Sequence, residues 1–331
     1  MFNWQSFPRP IVALAPMADM SDLPFCLMCK THGAPLMFRE MVSAEALVRQ
    51  NPKTLEMARF DERERPLIQQ IFGSEPHVMA EAARIIEERY HPDGIDINMG
   101  CPVYNLVSNF NGAFLIKDPA RASAIIKAIK ATVSIPVSVK TRLGWKQDTD
   151  VLEFVKVLES AGADLISIHG RTKEQGYSGV SNWDRIGEAR RNTSLPVLVN
   201  GDITSLERAQ EALNRSGAAG VLIGRAALGN PWIFQQLHLA STGLKRVTAP
   251  PSLAERVNVV RQHVELQMKR YGERGLVTFR KHLAYYFKPD LKHEAPQVDW
   301  KTLRAQLVRV STLEELNGYL LALLPNRDTN F

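Results

Sequence analysis

From residue 11 to about 226 the chain alternates short apolar runs with amphipathic stretches. This is the pattern of βα units around a parallel sheet, whose strands are covered on both faces and read as continuous apolar segments. Eight runs are present: IVALAPM (11–17), PLMFRE (35–40), LIQQIFG (67–73), GIDINMG (94–100), VSVKTRL (137–143), LISIHGR (165–171), PVLVNG (196–201) and GVLIGRA (220–226). Helical spacing recurs between them. Ile125, Ile126 and Ile129 share one face after Pro119, and Thr204 with Glu207 reads as a capping box opening a helix over 204–216 that Gly217 ends. Eight strands with intervening helices predict an α/β fold, a (β/α)8 TIM barrel rather than a doubly wound sheet, and no G-x-G-x-x-G follows any run.

The pattern changes near 240–252, where STGLKRVTAPPS cannot continue a helix. Ser252 and Glu255 form a second capping box, and Leu253, Val257, Val260, Val264 and Met268 make a helical stripe. With further helices near 274–287, 300–309 and 311–323, the expected organisation is a barrel over 1–243 and a small all-α helical bundle over 244–331.

Composition narrows the picture. Hydrophobic residues at 45% and charged residues at 23% are those of a globular protein, which excludes a disordered chain. No stretch approaches the ~18 to 20 apolar residues of a membrane helix, and the N-terminal apolar run is too short for a signal peptide, so a cytoplasmic protein with no membrane partner is expected. Three cysteines give no disulfide framework. The net charge of +6 is uneven: residues 251–331 hold 13 basic and 9 acidic side chains, a balance of +4 that admits a polyanion partner or an ordinary solvated surface.

Each run carries a polar or otherwise unusual residue at or just past its C-terminal end, and in a barrel those ends ring one mouth. Met17, Glu40, Gln70, Asn98, Lys140, His169, Asn200 and Arg225 are therefore expected to converge. Asn200, Gly201 and Asp202 after the seventh run, with Gly224 and Arg225 after the eighth, stand where barrel enzymes commonly bind phosphate. Lys140 suits a reduced flavin, whose N1 and C2 oxygen a cation stabilises. A Schiff-base lysine is the competing reading, and His169 is as well explained by a structural role.

Cys101, in INMGCP after the fourth run, lies at the mouth as a nucleophile or a proton donor. Cys26 and Cys29 form a C-x-x-C without a second pair, which reads as core packing on a helix, and no metal ion is expected. FRKHLAYYFKP (279–289) joins Arg280, Lys281, His282 and Lys288 to Tyr285, Tyr286 and Phe287, a mixture suited to RNA or to an amphipathic helix with its rings inward.

Taken together, LAPMADMSDLPF (14–25), QIFGSEP (70–76), DINMGCP (96–102), VKTRLGW (139–145), IHGRT (168–172), NGDIT (200–204) and IGRAALGNPWIF (223–234) resemble the tRNA-dihydrouridine synthases, most closely their bacterial B-like branch. The resemblance implies FMN as cofactor, lying against Pro16, Met17 and Ala18. Gln70 and Lys140 would bind its ring edge, His169 would help hold it, and Asn200, Gly201, Asp202, Gly224 and Arg225 would take its phosphate. It further implies a ping-pong reduction of a tRNA D-loop uridine, with NADPH or NADH as reductant and Cys101 as the acid that protonates C5. Asn98, Arg142 and Arg171 are the expected contacts to the base and RNA in the barrel, with Arg280, Lys281 and His282 in the bundle of a monomer. One departure stands out: the family usually has a basic residue in the loop after the cysteine, and here no Lys or Arg lies between Cys101 and Lys117. The alternatives are a flavin barrel acting on a free pyrimidine or another RNA, and a non-catalytic RNA-binding protein.

Overall fold

The computed structural model describes residues 2–241, 251–287, 291 and 295–324. Eight parallel strands close into a barrel in sequence order: β1 Ile11–Leu14, β2 Leu36–Ser43, β3 Leu67–Phe72, β4 Gly94–Met99, β5 Val137–Arg142, β6 Leu165–His169, β7 Val197–Asn200 and β8 Gly220–Ile223, which pairs back onto β1. Almost every strand residue is buried, as the continuous apolar runs require.

Inside this burial a period of two operates. Phe38, Ile68, Leu165, Leu198 and Leu222 form a small inner core at the N-terminal end, closed by Trp4, whose ring stacks on Phe38 at 6.1 Å. Two residues further along their strands the same inner face carries Gln70, Asn200 and Gly224, and Asn98, Lys140 and His169 line the same cleft from β4, β5 and β6. The larger core fills the layer between strands and outer helices. Helix Pro119–Lys130 buries Ile125, Ile126 and Ile129 there, and Asp118 caps it by accepting from the Arg121 amide.

Two sequence expectations shift. Helix Leu206–Ser216 is capped by Ser205 and not by Thr204: the Ser205 hydroxyl accepts from the Arg208 amide, and Gly217 ends the helix in the left-handed conformation as expected. Strand β2 runs on to Ser43 through a register shift between Arg39 and Val42. Glu40 is consequently not at the strand end. It is buried beside the mouth, where its carboxylate accepts from the Asp19 amide at 2.9 Å, and Met41 lines the opening in its place.

The boundary expected at 243/244 lies outside the described residues. Helices Leu253–Tyr271, Gly275–Tyr286, Trp300–Leu307 and Leu313–Ala322 build a separate core around Val260, Phe279, Leu283, Trp300, Leu307 and Leu316. The Ser252–Glu255 capping box opens the first of them. Arg256 donates to the carbonyls of Gly229 and Tyr286, Arg270 pairs with Glu56, and Lys281 donates to the Asp19 carbonyl, which seats this bundle on the barrel. No helix among the described residues is long and apolar enough to cross a membrane.

Candidate active site

A cleft of about 850 Å³ opens at the C-terminal ends of the strands, lined by Pro16, Met17, Ala18, Gln70, Asn98, Cys101, Lys140, Arg142, His169, Asn200, Gly201, Asp202, Gly224 and Arg225. Residues scattered over more than two hundred positions meet there because parallel strands in sequence order present all their C-terminal ends on one side.

A hydrogen-bonded chain holds the cysteine. The Ser138 hydroxyl and the Gln70 side-chain amide both donate to Asp96 at 2.6 Å. That fixes Gln70 so that its oxygen accepts from Asn98 Nδ2 at 2.9 Å, and Asn98 Oδ1 in turn accepts from the amides of Gly100 and Cys101 at 3.1 and 3.0 Å. Arg142 grips the same turn from the other side, with Nε donating to the Gly100 carbonyl at 2.7 Å. Burial pushes the Asp96 carboxyl up to about 6, against the opposing pull of Ser138, Gln70 and Lys140. Sequence reasoning missed Asp96 and Ser138. The available signal was their spacing, two residues before Asn98 and Lys140 on the same strand faces.

The electrostatics favour an anion. Burial and the neighbouring Arg142 draw the Lys140 amine down to about 8, with Asp96 and Cys101 pulling the other way. Burial, then Lys140, Arg142, Arg171 and Arg225, hold His169 well below its ordinary value, so the ring is neutral. Its Nδ1 is buried with no hydrogen-bond partner among the described residues, and the Lys140 amine forms no ion pair or hydrogen bond there either. Gly201 supplies a backbone cradle: its φ is +107° and a Cβ would stand 2.2 Å from Ser181 Oγ and 3.0 Å from the His169 ring. Asp202 next to it turns its carboxylate away, onto Arg171 and the Ser181 amide at 2.8 Å each, so it faces the cleft as backbone.

The family model for dihydrouridine synthase (Dus) matches residues 13–321. The chain belongs to the dihydrouridine synthase family. It is 38% identical over 280 residues to a probable tRNA-dihydrouridine synthase of Rickettsia conorii, covering 83% of each chain. It is 37% identical over 280 residues to tRNA-dihydrouridine synthase B of Pasteurella multocida, covering 84% of this chain and 83% of that one. Among solved structures, histamine dehydrogenase from Rhizobium sp. 4-9 superposes with a TM-score of 0.54 at 12% identity over 77% of this chain and 49% of its own. TcOYE with pHBA gives 0.52 at 10% identity over 74% and 91%. These two share the barrel fold. As a dihydrouridine synthase family member the protein is an oxidoreductase.

Several residues expected at the substrate stand elsewhere in this family member. Arg171 is 3% exposed and fully engaged: it donates to the carbonyls of Ser178 and Gly179, to the Ser181 hydroxyl and to Asp202, so it braces the loop rather than meeting RNA. His282 is completely buried against Phe25 and His263, which removes it from any RNA surface. Arg280 is half-buried with Nε donating to the Val310 carbonyl at 2.8 Å, and the half-buried Lys281 is the one that reaches Asp19. The basic and aromatic stretch is therefore chiefly a docking face. Tyr286 and Phe287 are core, Tyr285 alone of the three rings reaches the cleft, and Lys288 lies outside the described residues. Cys26 and Cys29 are fully buried in the barrel's helical layer.

The sequence also did not single out the rim. Tyr177 lines the cleft at 60% exposure, its ring 4.8 Å from the Arg225 guanidinium and 5.5 Å from that of Arg142. Tyr104 and Phe110 stand exposed in the loop after Cys101.

Proposed function

We propose that this protein reduces a D-loop uridine of tRNA to 5,6-dihydrouridine with FMN and NADPH or NADH, and that Cys101 is its proton donor. One observation carries the reading: in a member of this family, the cleft joins a thiol to a lysine amine and a buried imidazole nitrogen that have no partner among the described residues. Those groups fit a flavin. Lys140, Gln70 and His169 would hold the ring edge beside Pro16, Met17 and Ala18, while the Gly201, Asp202 and Gly224 amides, Asn200 and the Arg225 guanidinium would take the phosphate. When bound, FMN supplies the hydride that goes to uracil C6.

The chain's own part is positioning and proton transfer. Asn98 holds the Cys101 amide and Arg142 the Gly100 carbonyl, so the thiol is presented from a braced turn and not from a loose loop. Its S–H bond breaks as the proton goes to C5, and solvent then reprotonates the thiolate left behind. The uridine must leave its stack to enter the cleft, and the exposed rings of Tyr104, Phe110 and Tyr177 offer stacking surfaces at the rim in place of the missing basic residue. Residues 1–243 would then act as the catalytic barrel and 244–331 as the tRNA grip of a cytoplasmic monomer.

The test is to purify the protein, look for a bound flavin spectrum, and map dihydrouridine in tRNA from cells lacking the gene. Loss at a D-loop position, restored by wild type but not by Cys101→Ala that keeps its flavin, is expected. A colourless protein, or tRNA with an unchanged dihydrouridine profile, overturns the reading.

A further inference from the structure

Asp22, His263 and His282 come from three helices and meet in the seam between barrel and bundle. Asp22 caps Leu23–Thr31, His263 lies mid-way along Leu253–Tyr271, and His282 lies on Gly275–Tyr286. They are 2%, 0% and 0% exposed, and one potential ligand atom from each lies within 4.8 Å of the other two. None of them lines the cleft. We propose that Asp22, His263 and His282 bind one divalent transition-metal ion of the zinc class, which pins the helical bundle to the barrel.

The hydrogen-bond inventory points there. His263 Nε2 and both ring nitrogens of His282 are buried without a partner among the described residues, an expensive condition for two side chains that face each other. Two histidines and a carboxylate are a recurring set of protein ligands for zinc, with a water completing the tetrahedron. Bonds of about 2.0–2.2 Å put tetrahedral ligands roughly 3.4 Å apart, so the three side chains close on an ion by a movement of about 1 Å.

The surroundings have the form of an outer shell. His263 Nδ1 is 2.9 Å from the Tyr286 hydroxyl, and donation along that contact orients the ring with the Nε2 lone pair free. Asp22 accepts from the Phe25 amide at 3.1 Å, from the Gln267 side-chain amide at 3.0 Å and from the Tyr271 hydroxyl at 3.2 Å, which leaves one of its lone-pair positions for an ion. Phe25 stacks against both imidazoles, at 5.8 and 5.3 Å between ring centroids, and fixes their planes. Of the charged groups that act on the seam, Lys281 opposes a cation but is already bonded to the Asp19 carbonyl, and Glu40 adds a second carboxylate near Asp22. Burial pushes His282 down to about 3 and His263 well below its usual value, so both are in the neutral form that binds metals.

The experiment uses the full-length protein, dialysed against a chelator and titrated with Co2+ as a coloured probe, with Zn2+ added afterwards as competitor. One equivalent of Co2+ per chain is expected, with visible absorption of a tetrahedral nitrogen and oxygen set, a raised thermal midpoint, and displacement by Zn2+. Tyr286→Phe keeps the packing and should weaken binding about 10- to 100-fold, and His282→Gln should abolish it. Failure of the chelated wild type to take up one equivalent at micromolar Co2+ overturns the proposal, as does unchanged binding by Tyr286→Phe or by folded His282→Gln. Should His282→Gln not fold, the wild-type titration and Tyr286→Phe decide alone. The flavin spectrum, read in parallel, is independent of this site.

Discussion

Single side chains in the cleft are set by their company. Lys140 holds its charge less firmly than an exposed lysine because burial and Arg142 both oppose it. The charged fraction falls as pH rises through about 8, so FMN affinity is expected to weaken between roughly pH 7 and 9. Lys140→Met should bind FMN more weakly and lose that dependence, as read by quenching of flavin fluorescence. Gly201 is constrained in a different way, by a φ of +107° and a Cβ position only 2.2 Å from Ser181 Oγ. Gly201→Ala is expected to cost more than about 1 kcal/mol in urea unfolding and to lose bound flavin. Neither effect is readable from the residue type. Lysine and glycine at these positions were legible as candidates, because the end of a parallel strand is a known place for chemistry, but their strain and charge belong to neighbours on other strands.

At the scale of the element, β4 shows how one strand serves core and chemistry at once. Ile95 and Ile97 face the helices, while Asp96 and Asn98 face inward and anchor the cysteine turn. The carboxyl of Asp96 titrates at about 6 in the folded chain against an ordinary 3.8. The sign follows from the raised value: its contribution to stability is fully present below about pH 4 and is lost as pH rises through about 6. The urea midpoint of wild type should therefore fall relative to Asp96→Asn between about pH 4 and 7, and parallel curves for the two proteins would refute the assignment. The eight runs predicted all eight strands, with starts within one residue and C-terminal ends shifted by one to three. The expected place of Glu40 failed for a reason local sequence does not carry, since the register shift in β2 extends that strand and moves Met41 to the mouth.

Over the whole molecule, the decisive contact is the seat of the bundle on the barrel. Gly229, with φ +65°, lies so close to the Tyr285 backbone that a Cβ would stand 2.1 Å from its carbonyl oxygen. Gly229→Ala should loosen that seat. Weaker tRNA binding with a preserved flavin spectrum is expected, measured by filter binding and absorbance, and equal loss of both would mean that the two parts do not act separately. The same seam explains why the stretch at 279–289 was ambiguous. A helix that presents Phe279, His282 and Tyr286 inward and Lys281 toward Asp19 has the composition of an RNA-binding surface, and only its neighbour reveals which side is covered.

The sequence by itself determined the barrel, the helices that follow it and most of the cleft, because strand periodicity, capping residues and motif order are local properties of the chain. It also placed Cys101, Lys140 and His169 on one rim, since parallel strands in sequence order leave their ends no other common side. Tertiary structure alone decided that Asp96 supports the cysteine turn, that Arg171 is a brace, and that His282 meets His263 and Asp22 out of reach of solvent. Burial, hydrogen-bond satisfaction and proton affinity depend on what packs against a group, and for these residues that neighbour lies on a distant part of the chain.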